Sequence, residues 1–244
     1  MNPLKKFQEE VAENIKNLGR NRKLKKLALQ FTIDSLKSKY SFNFSWLGRP
    51  IIQHPQDIVA IQELIWKIKP DLVIETGIAH GGSLILSASI LELIGGKGKV
   101  AGIDIDIREH NRKEIEKHKM FKRITLIEGS STDEGVLKQV SKIAKGKKQI
   151  LVFLDSSHAH SHVLRELELY SPFVTKGSYI VVFDTIVEDM PKGTVKNRPW
   201  DKGSNPKTAV REFLKNNKNF IIDKEIENKL LITAALGGFL KRVK

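Results

Sequence analysis

The chain has 244 residues, 42 Lys and Arg against 28 Asp and Glu, a formal charge of +14 and no cysteine. The missing cysteine excludes a disulfide scaffold, a zinc–thiolate site, an iron–sulfur cluster and a thiol nucleophile. A composition 40% hydrophobic and 29% charged is that of a folded globular chain, and the basic excess fits either anionic ligands or a solvated lysine-rich surface.

Residues 2–40 predict an N-terminal helical arm. Phe7, Val11, Ile15 and Leu18 recur at helical spacing, Gly19 interrupts, and Leu24, Leu27, Ala28, Phe31, Ile33 and Leu36 mark a second helix. The apolar face of the arm must pack on the rest of the chain or on another subunit, so a homo-oligomer is expected. Residues 41–57, with Pro50 and Pro55, read as a connector. Residues 1–50 are thus arm and connector, and residues 51–244 the main domain. No apolar run approaches the length that spans a bilayer, and the N-terminus lacks a secretory pattern, so a cytoplasmic protein is expected.

From residue 57 helix and strand alternate. Helices are predicted over 57–68, 81–94, 109–118, 133–144, 161–169 and 208–214. Apolar strands are predicted over 71–75, 99–104, 123–128, 149–155 and 178–184, with closing strands over 220–223 and 230–234. The segment 186–206, basic and rich in proline and glycine, reads as a mobile loop. Continuous apolar strands separated by helices define an α/β fold: a Rossmann-like, doubly wound, mostly parallel sheet covered on both faces. Ligands bind such sheets at the carboxyl ends of the strands, so the residues just after each strand carry the functional reading.

The first strand ends in Glu75-Thr76-Gly77-Ile78-Ala79-His80-Gly81-Gly82-Ser83, a glycine turn leading into a helix N-terminus. It is neither the G-x-G-x-x-G dinucleotide pattern nor a P-loop. Asp104 ends the second strand, where a carboxylate can take both hydroxyls of a ribose, although a helix cap would explain Asp104 alone. Ser130 and Ser131 follow the third strand and can border an adenine ring; Ser131 or Thr132 can equally cap the next helix. The fourth strand ends in Asp155-Ser156-Ser157-His158-Ala159-His160-Ser161-His162. Asp155 and Asp184, on neighbouring strands, suit a hard divalent cation or share a buried salt bridge. Asp155 with His158 and His162 would instead suit iron.

The order of these motifs resembles class I S-adenosylmethionine-dependent methyltransferases. More closely, Trp46-Leu47-Gly48, Gln62-Glu63-Leu64, the Glu75–Ser83 turn, Gly102-Ile103-Asp104-Ile105-Asp106, Glu128-Gly129-Ser130-Ser131 and Leu154-Asp155-Ser156-Ser157-His158 resemble the cephalosporin hydroxylase family, which includes rhamnosyl O-methyltransferases. The resemblance runs from about Tyr40 to the C-terminus. It implies an O-methyltransferase acting on a hydroxyl of a small molecule, sugar or glycolipid, with S-adenosylmethionine and Mg2+ as cofactors. Glu75, Gly77, Ala79, Gly81, Ser83, Asp104, Ser130, Ser131 and Asp155 would hold the cofactor. The second half is similar to catechol O-methyltransferase, whose metal ligands are two Asp and one Asn. Asp155 and Asp184 match the two Asp, and Thr185 stands at the position of the Asn. Phe183 replaces the acidic residue that family members usually carry before the second Asp. His158 falls at the position of the catalytic lysine, so Asp155 and His158 are the catalytic candidates. Lys192, Lys196, Arg198 and Lys202 of the basic loop point to an anionic or nucleotide-linked acceptor. No nucleic-acid partner is expected, since no RNA- or DNA-binding motif is present.

Overall fold

The computed structural model of the chain describes residues 2–244. Helix α1 (Pro3–Arg20) begins where the Asn2 side chain accepts from the Leu4 amide, with Pro3 at the first helical position. Asn21 caps α2 (Arg22–Lys37) in the same way through the Leu24 amide. The connector contains a hairpin that the sequence pattern hides, β1 (Phe44–Trp46) and β2 (Arg49–Ile51). Leu47 and Gly48 form its two-residue turn with φ of 46° and 86°, the mirror-image turn that matches strand twist. The hairpin runs across the expected boundary at residue 50, and Ile51 belongs to the main core.

The rest alternates as α3 (Pro55–Ile68), β3 (Leu72–Thr76), α4 (Gly82–Ile94), β4 (Lys99–Asp104), α5 (Glu109–Lys117), β5 (Ile124–Glu128), α6 (Glu134–Ala144), β6 (Ile150–Leu154), α7 (His160–Tyr170), β7 (Tyr179–Val182), α8 (Pro206–Asn216), β8 (Phe220–Ile222), α9 (Lys224–Leu230) and β9 (Phe239–Arg242). The main sheet has the order β5-β4-β3-β6-β7-β9-β8, with β9 reversed against its neighbours. Successive side chains leave a strand on opposite faces, so each apolar strand feeds two cores. Val73, Leu151 and Phe153 join one. Leu72, Ile74, Ile150, Val152 and Leu154 join the other. The strand order switches direction between β3 and β6, and this is where a doubly wound sheet opens a crevice.

The closing segment departs from the expected strand over 230–234. Asp223 caps α9 through the Glu225 amide, Leu231 turns the chain with φ of 59°, and β9 takes the place in the sheet. Residues 233 and 234 instead hold a buried carboxylate, as described below. The arm lies on the main domain through α1 against α9, where Gly19 faces Asn228 and Lys25 Nζ donates to Asn228 Oδ1 at 3.2 Å. Leu4, Phe7, Leu27 and Phe31 remain exposed on the arm. Among the described residues no helix is long and apolar enough to cross a membrane.

Candidate active site

A cleft of about 1010 Å³ opens at the carboxyl ends of the strands, over the β3/β6 switch point. One wall is the turn after β3. Gly77 takes φ of 86° and its amide donates to the Ile103 carbonyl at 2.8 Å; the Asp155 amide donates to the Thr76 carbonyl at 2.9 Å. The ends of β3, β4 and β6 are thereby tied together. Asp104 Oδ2 accepts from the Ile78 amide at 2.7 Å and from the Ala79 amide at 3.4 Å. It braces the turn and still lines the cleft, with lone pairs left for hydroxyl donors.

Gly81, with φ of 82°, caps α4. Glu75 lies beneath the turn, 3% exposed, and Ser83 Oγ donates to its Oε1 while Oε2 has no partner. Of the predicted cofactor residues, Gly77, Ala79, Ser83, Asp104, Ser130, Ser131 and Asp155 line the cleft, and Glu75 and Gly81 support it from behind. Sequence reasoning missed a brace on the outer side. Arg49 of β2 donates through Nε and Nη2 to the His80 carbonyl (3.1 and 2.7 Å) and through Nη2 to Asn111 Oδ1 (3.1 Å), and Asn111 Nδ2 donates to the Ala79 carbonyl at 3.1 Å.

Asp155, His158 and Asp184 meet at the other side of the crevice, each offering a ligand atom within 4.8 Å of the other two. His158 Nε2 lies 3.0 Å from Asp184 Oδ2. Thr185, expected as a metal ligand, has its hydroxyl engaged by the backbone. Asp184 adopts φ of 53°, the chain enters a short 3-10 turn, and the fully buried Thr185 donates its hydroxyl to the Ala234 carbonyl at 3.4 Å. His158 supplies the third potential ligand atom of this group. Phe183 is buried against Phe153, with ring centroids 6.3 Å apart, and lines the cleft.

The iron alternative is not assembled either. His162 Nε2 is engaged by Ser131 Oγ at 3.1 Å and Ser156 Oγ at 3.3 Å, with Glu166 Oε1 at 3.5 Å. Glu166 raises the His162 pKa against the effect of burial. This cluster walls the end of the cleft beside Ser130, and the Tyr170 hydroxyl fixes the Ser131 carbonyl at 2.8 Å. Neither Ser131 nor Thr132 caps α6; Asp133 does, through the amides of Gly135 and Val136.

Carboxylates crowd the floor. Burial pushes Asp155 well above the usual carboxylate range, and the charges of Asp184, Glu75, Asp57 and Glu166 push it further. Burial also raises Glu75 to about 7 against the opposing Ser83 hydrogen bond. Asp57, fully buried at the start of α3, is raised to about 7 by burial, while the Thr233 hydroxyl and the Ala234 amide (2.8 Å) hold its charge. Its role was invisible in sequence, because an acidic residue in a first helical turn reads as a dipole contact.

Burial opposes the ionisation of these carboxylates, and a positively charged occupant of the crevice would favour it. Two carboxylate oxygens on adjacent strands suit a hard divalent cation, and an imidazole beside them suits either ligation or proton transfer.

These shifts give a signed pH dependence. Glu75 and Asp57 hold protons in the folded state to about pH 7 and release them in the unfolded chain near their ordinary values of 4.5 and 3.8. Their contribution to stability is therefore complete below about pH 4 and lost as pH rises to about 7. The ligand-free protein should lose on the order of a few kcal/mol across that window. Thermal melts between pH 5 and 8 measure it, and Glu75→Gln should flatten the slope; an unchanged slope contradicts the assignment.

The segment 186–206 closes the cleft on its outer side and is held by its own acidic residues. Glu188 accepts from the Gly203 amide (2.8 Å), Asn205 Nδ2 (2.7 Å) and Arg211 Nη1 (3.0 Å). Asp201 accepts from the Gly193 amide (2.7 Å), and Asp189 pairs with Lys207. These bonds anchor a segment that composition alone marks as mobile. Trp200 meets His158 edge-to-face, ring centroids 5.0 Å apart, and Arg198 lies over the Trp200 ring at 5.3 Å.

The sheet order, the glycine turn with its acidic partner one strand away, and the acidic floor define a class I methyltransferase. The family model described as Rhamnosyl O-methyltransferase/CmcI matches residues 38–243. The chain is 31% identical over 207 residues to the Rhamnosyl O-methyltransferase of Mycobacterium tuberculosis, covering 81% of this chain and 78% of that one. The match to the Mycobacterium leprae protein is 31% over 205 residues, covering 81% and 82%. Among solved structures, a CmcI apo-structure aligns with a TM-score of 0.59 at 18% identity, covering 83% of this chain and 77% of that one. An O-methyltransferase from Bacillus cereus in complex with SAH aligns at 0.53 and 15%, covering 92% of each. The chain belongs to the Rhamnosyl O-methyltransferase/CmcI family, and it is an S-adenosylmethionine-dependent O-methyltransferase.

Proposed function

We propose that this protein methylates a hydroxyl of a sugar-bearing acceptor, with His158 as the proton acceptor and a divalent cation held by Asp155 and Asp184. The reading rests on one juxtaposition: the glycine turn after β3 and the Asp155–His158–Asp184 group share one cleft. Its likeness to rhamnosyl O-methyltransferases supports a sugar acceptor. Gly77, Ala79, Ser83 and the supporting Glu75 and Gly81 would cradle the methionine part of the cofactor, Asp104 the ribose, and Ser130 and Ser131 the adenine. The exposed apolar residues of the arm support a homo-oligomer.

When bound, the cation supplies a Lewis acid that lowers the pKa of the acceptor hydroxyl. The cofactor's sulfonium would supply the methyl group and depart as the neutral thioether, and His158 would take the proton that the acceptor hydroxyl gives up. Asp184 Oδ2 beside His158 Nε2 favours the tautomer protonated there. Nδ1 is then free to take the proton. The Phe183 and Trp200 rings exclude water from the transfer.

Calorimetric titration with S-adenosylhomocysteine, with and without Mg2+, tests both cofactors. Micromolar binding that strengthens with Mg2+ is expected. His158→Ala should keep that binding and lose about 10²–10⁴-fold in kcat. Absent cofactor binding, or full activity in the His158 variant, would overturn the reading.

A further inference from the structure

The floor of the cleft is acidic and its outer lip is basic. On α8, which follows the segment, Lys207 and Arg211 are each paired with a carboxylate. Arg198 is not: among the described residues it makes no ion pair, and its guanidinium lies instead over the Trp200 ring, on the wall of the cleft. A cation held over an aromatic face keeps its edge N–H donors free, arranged as a planar fork. That fork matches a carboxylate or phosphate bidentately. Trp200 in turn abuts His158. The free guanidinium and the group proposed to take the acceptor proton thus lie against the same Trp200 ring, at 5.3 and 5.0 Å from its centroid, and both line the cleft.

We infer that Arg198, positioned by Trp200, is a specificity determinant that selects acceptors whose sugar unit carries a negative charge, as a carboxylate or a phosphate. The inference deepens the proposed function and rests on it. An acidic floor alone would repel such an acceptor. The unpaired cation at the lip offsets that repulsion and orients the sugar with its anionic substituent outward and its hydroxyl toward His158. Lys192, Lys196 and Lys202 lie on the same segment and raise the positive potential around Arg198.

The test uses the full chain saturated with S-adenosylhomocysteine and four probes: rhamnose, rhamnose 1-phosphate, a nucleoside diphosphate rhamnose and glucuronate. Calorimetry in the wild type should give at least about tenfold tighter binding for one or more of the anionic probes than for rhamnose, weakened by salt. The separate arms identify which anion is read. Arg198→Ala should bring the anionic and neutral probes to within about twofold of each other, and Arg198→Lys should restore only part of the preference. Arg198 is exposed, so these variants should fold, and their affinity for S-adenosylhomocysteine serves as the check. Equal affinity for neutral and anionic probes in the wild type, or a preference that survives Arg198→Ala, overturns the inference. Failure of the wild type to bind S-adenosylhomocysteine would instead overturn the function on which it rests.

Discussion

Asp155→Asn should lower kcat by about 10³-fold or more and at the same time raise the melting temperature of the ligand-free protein. The two effects share one cause. Asp155 sits at the end of β6, where burial and the charges of Asp184, Glu75, Asp57 and Glu166 all oppose its ionisation. An amide of the same shape removes the repulsion and keeps the packing. A gain of about 1 kcal/mol corresponds to roughly 2–4 °C in a chain of this size. The same amide cannot carry the charge that would hold a divalent cation beside Asp184, so turnover and Mg2+ binding should fall together. S-adenosylhomocysteine affinity should stay within a few-fold, because the variant leaves the Asp155 backbone and the turn around Gly77 in place. Differential scanning fluorimetry, Mg2+ titration and a methyl-transfer assay read the three quantities separately. A variant that keeps activity within tenfold would remove Asp155 from the chemistry. A variant that is less stable than the wild type would contradict the electrostatic account.

Most of the scaffold was legible because a doubly wound sheet announces itself. The strands β3, β6 and β7 are buried on both faces and so read as unbroken apolar runs, and the helices between them carry apolar residues on one side. The strand ends then followed from topology. Gly77, Asp104 and Asp155 could be named as candidates because ligands bind where strands stop, and all three line the cleft.

What was missed depended on contacts distant in sequence. Phe44–Trp46 and Arg49–Ile51 are too short and too mixed to show alternation, yet they pair as a hairpin, and Arg49 props the turn after β3, 31 residues away. Residues 230–234 look like a strand from composition. Their backbone turns instead to hold Asp57, 177 residues distant from Ala234. Thr185 was placed by matching to a metal ligand, and no pattern in the chain reveals that Asp184 adopts a left-handed conformation that buries its neighbour. His158 was visible as a base candidate, but its pairing with Asp184 and its contact with Trp200 needed the fold.

Gly77→Ala should be the most damaging single methyl in the chain, costing about 3 kcal/mol or more and abolishing cofactor binding in whatever fraction still folds. Two independent costs add. The residue takes φ of 86°, a conformation that L side chains rarely adopt. A Cβ there would also stand 2.5 Å from the Asp155 carbonyl carbon, closer still to its oxygen, and 2.9 Å from Ser156 Cα. These are backbone atoms of the neighbouring strand end, so no rotamer change can relieve the clash. The turn after β3 and the start of the loop after β6 would have to separate, and with them the proposed cofactor residues and Asp155. Gly48 provides the internal control: its φ is also 86°, but a methyl at that position would meet no atom within 4 Å, so Gly48→Ala carries the conformational cost alone, about 1 kcal/mol. Chemical denaturation of both variants compares the two sites directly. If Gly77→Ala is no worse than Gly48→Ala, the close approach of β3 and β6 at the switch point does not govern the geometry of the cleft. If it is worse by about 2 kcal/mol or more, the site and the fold are joined at that one contact.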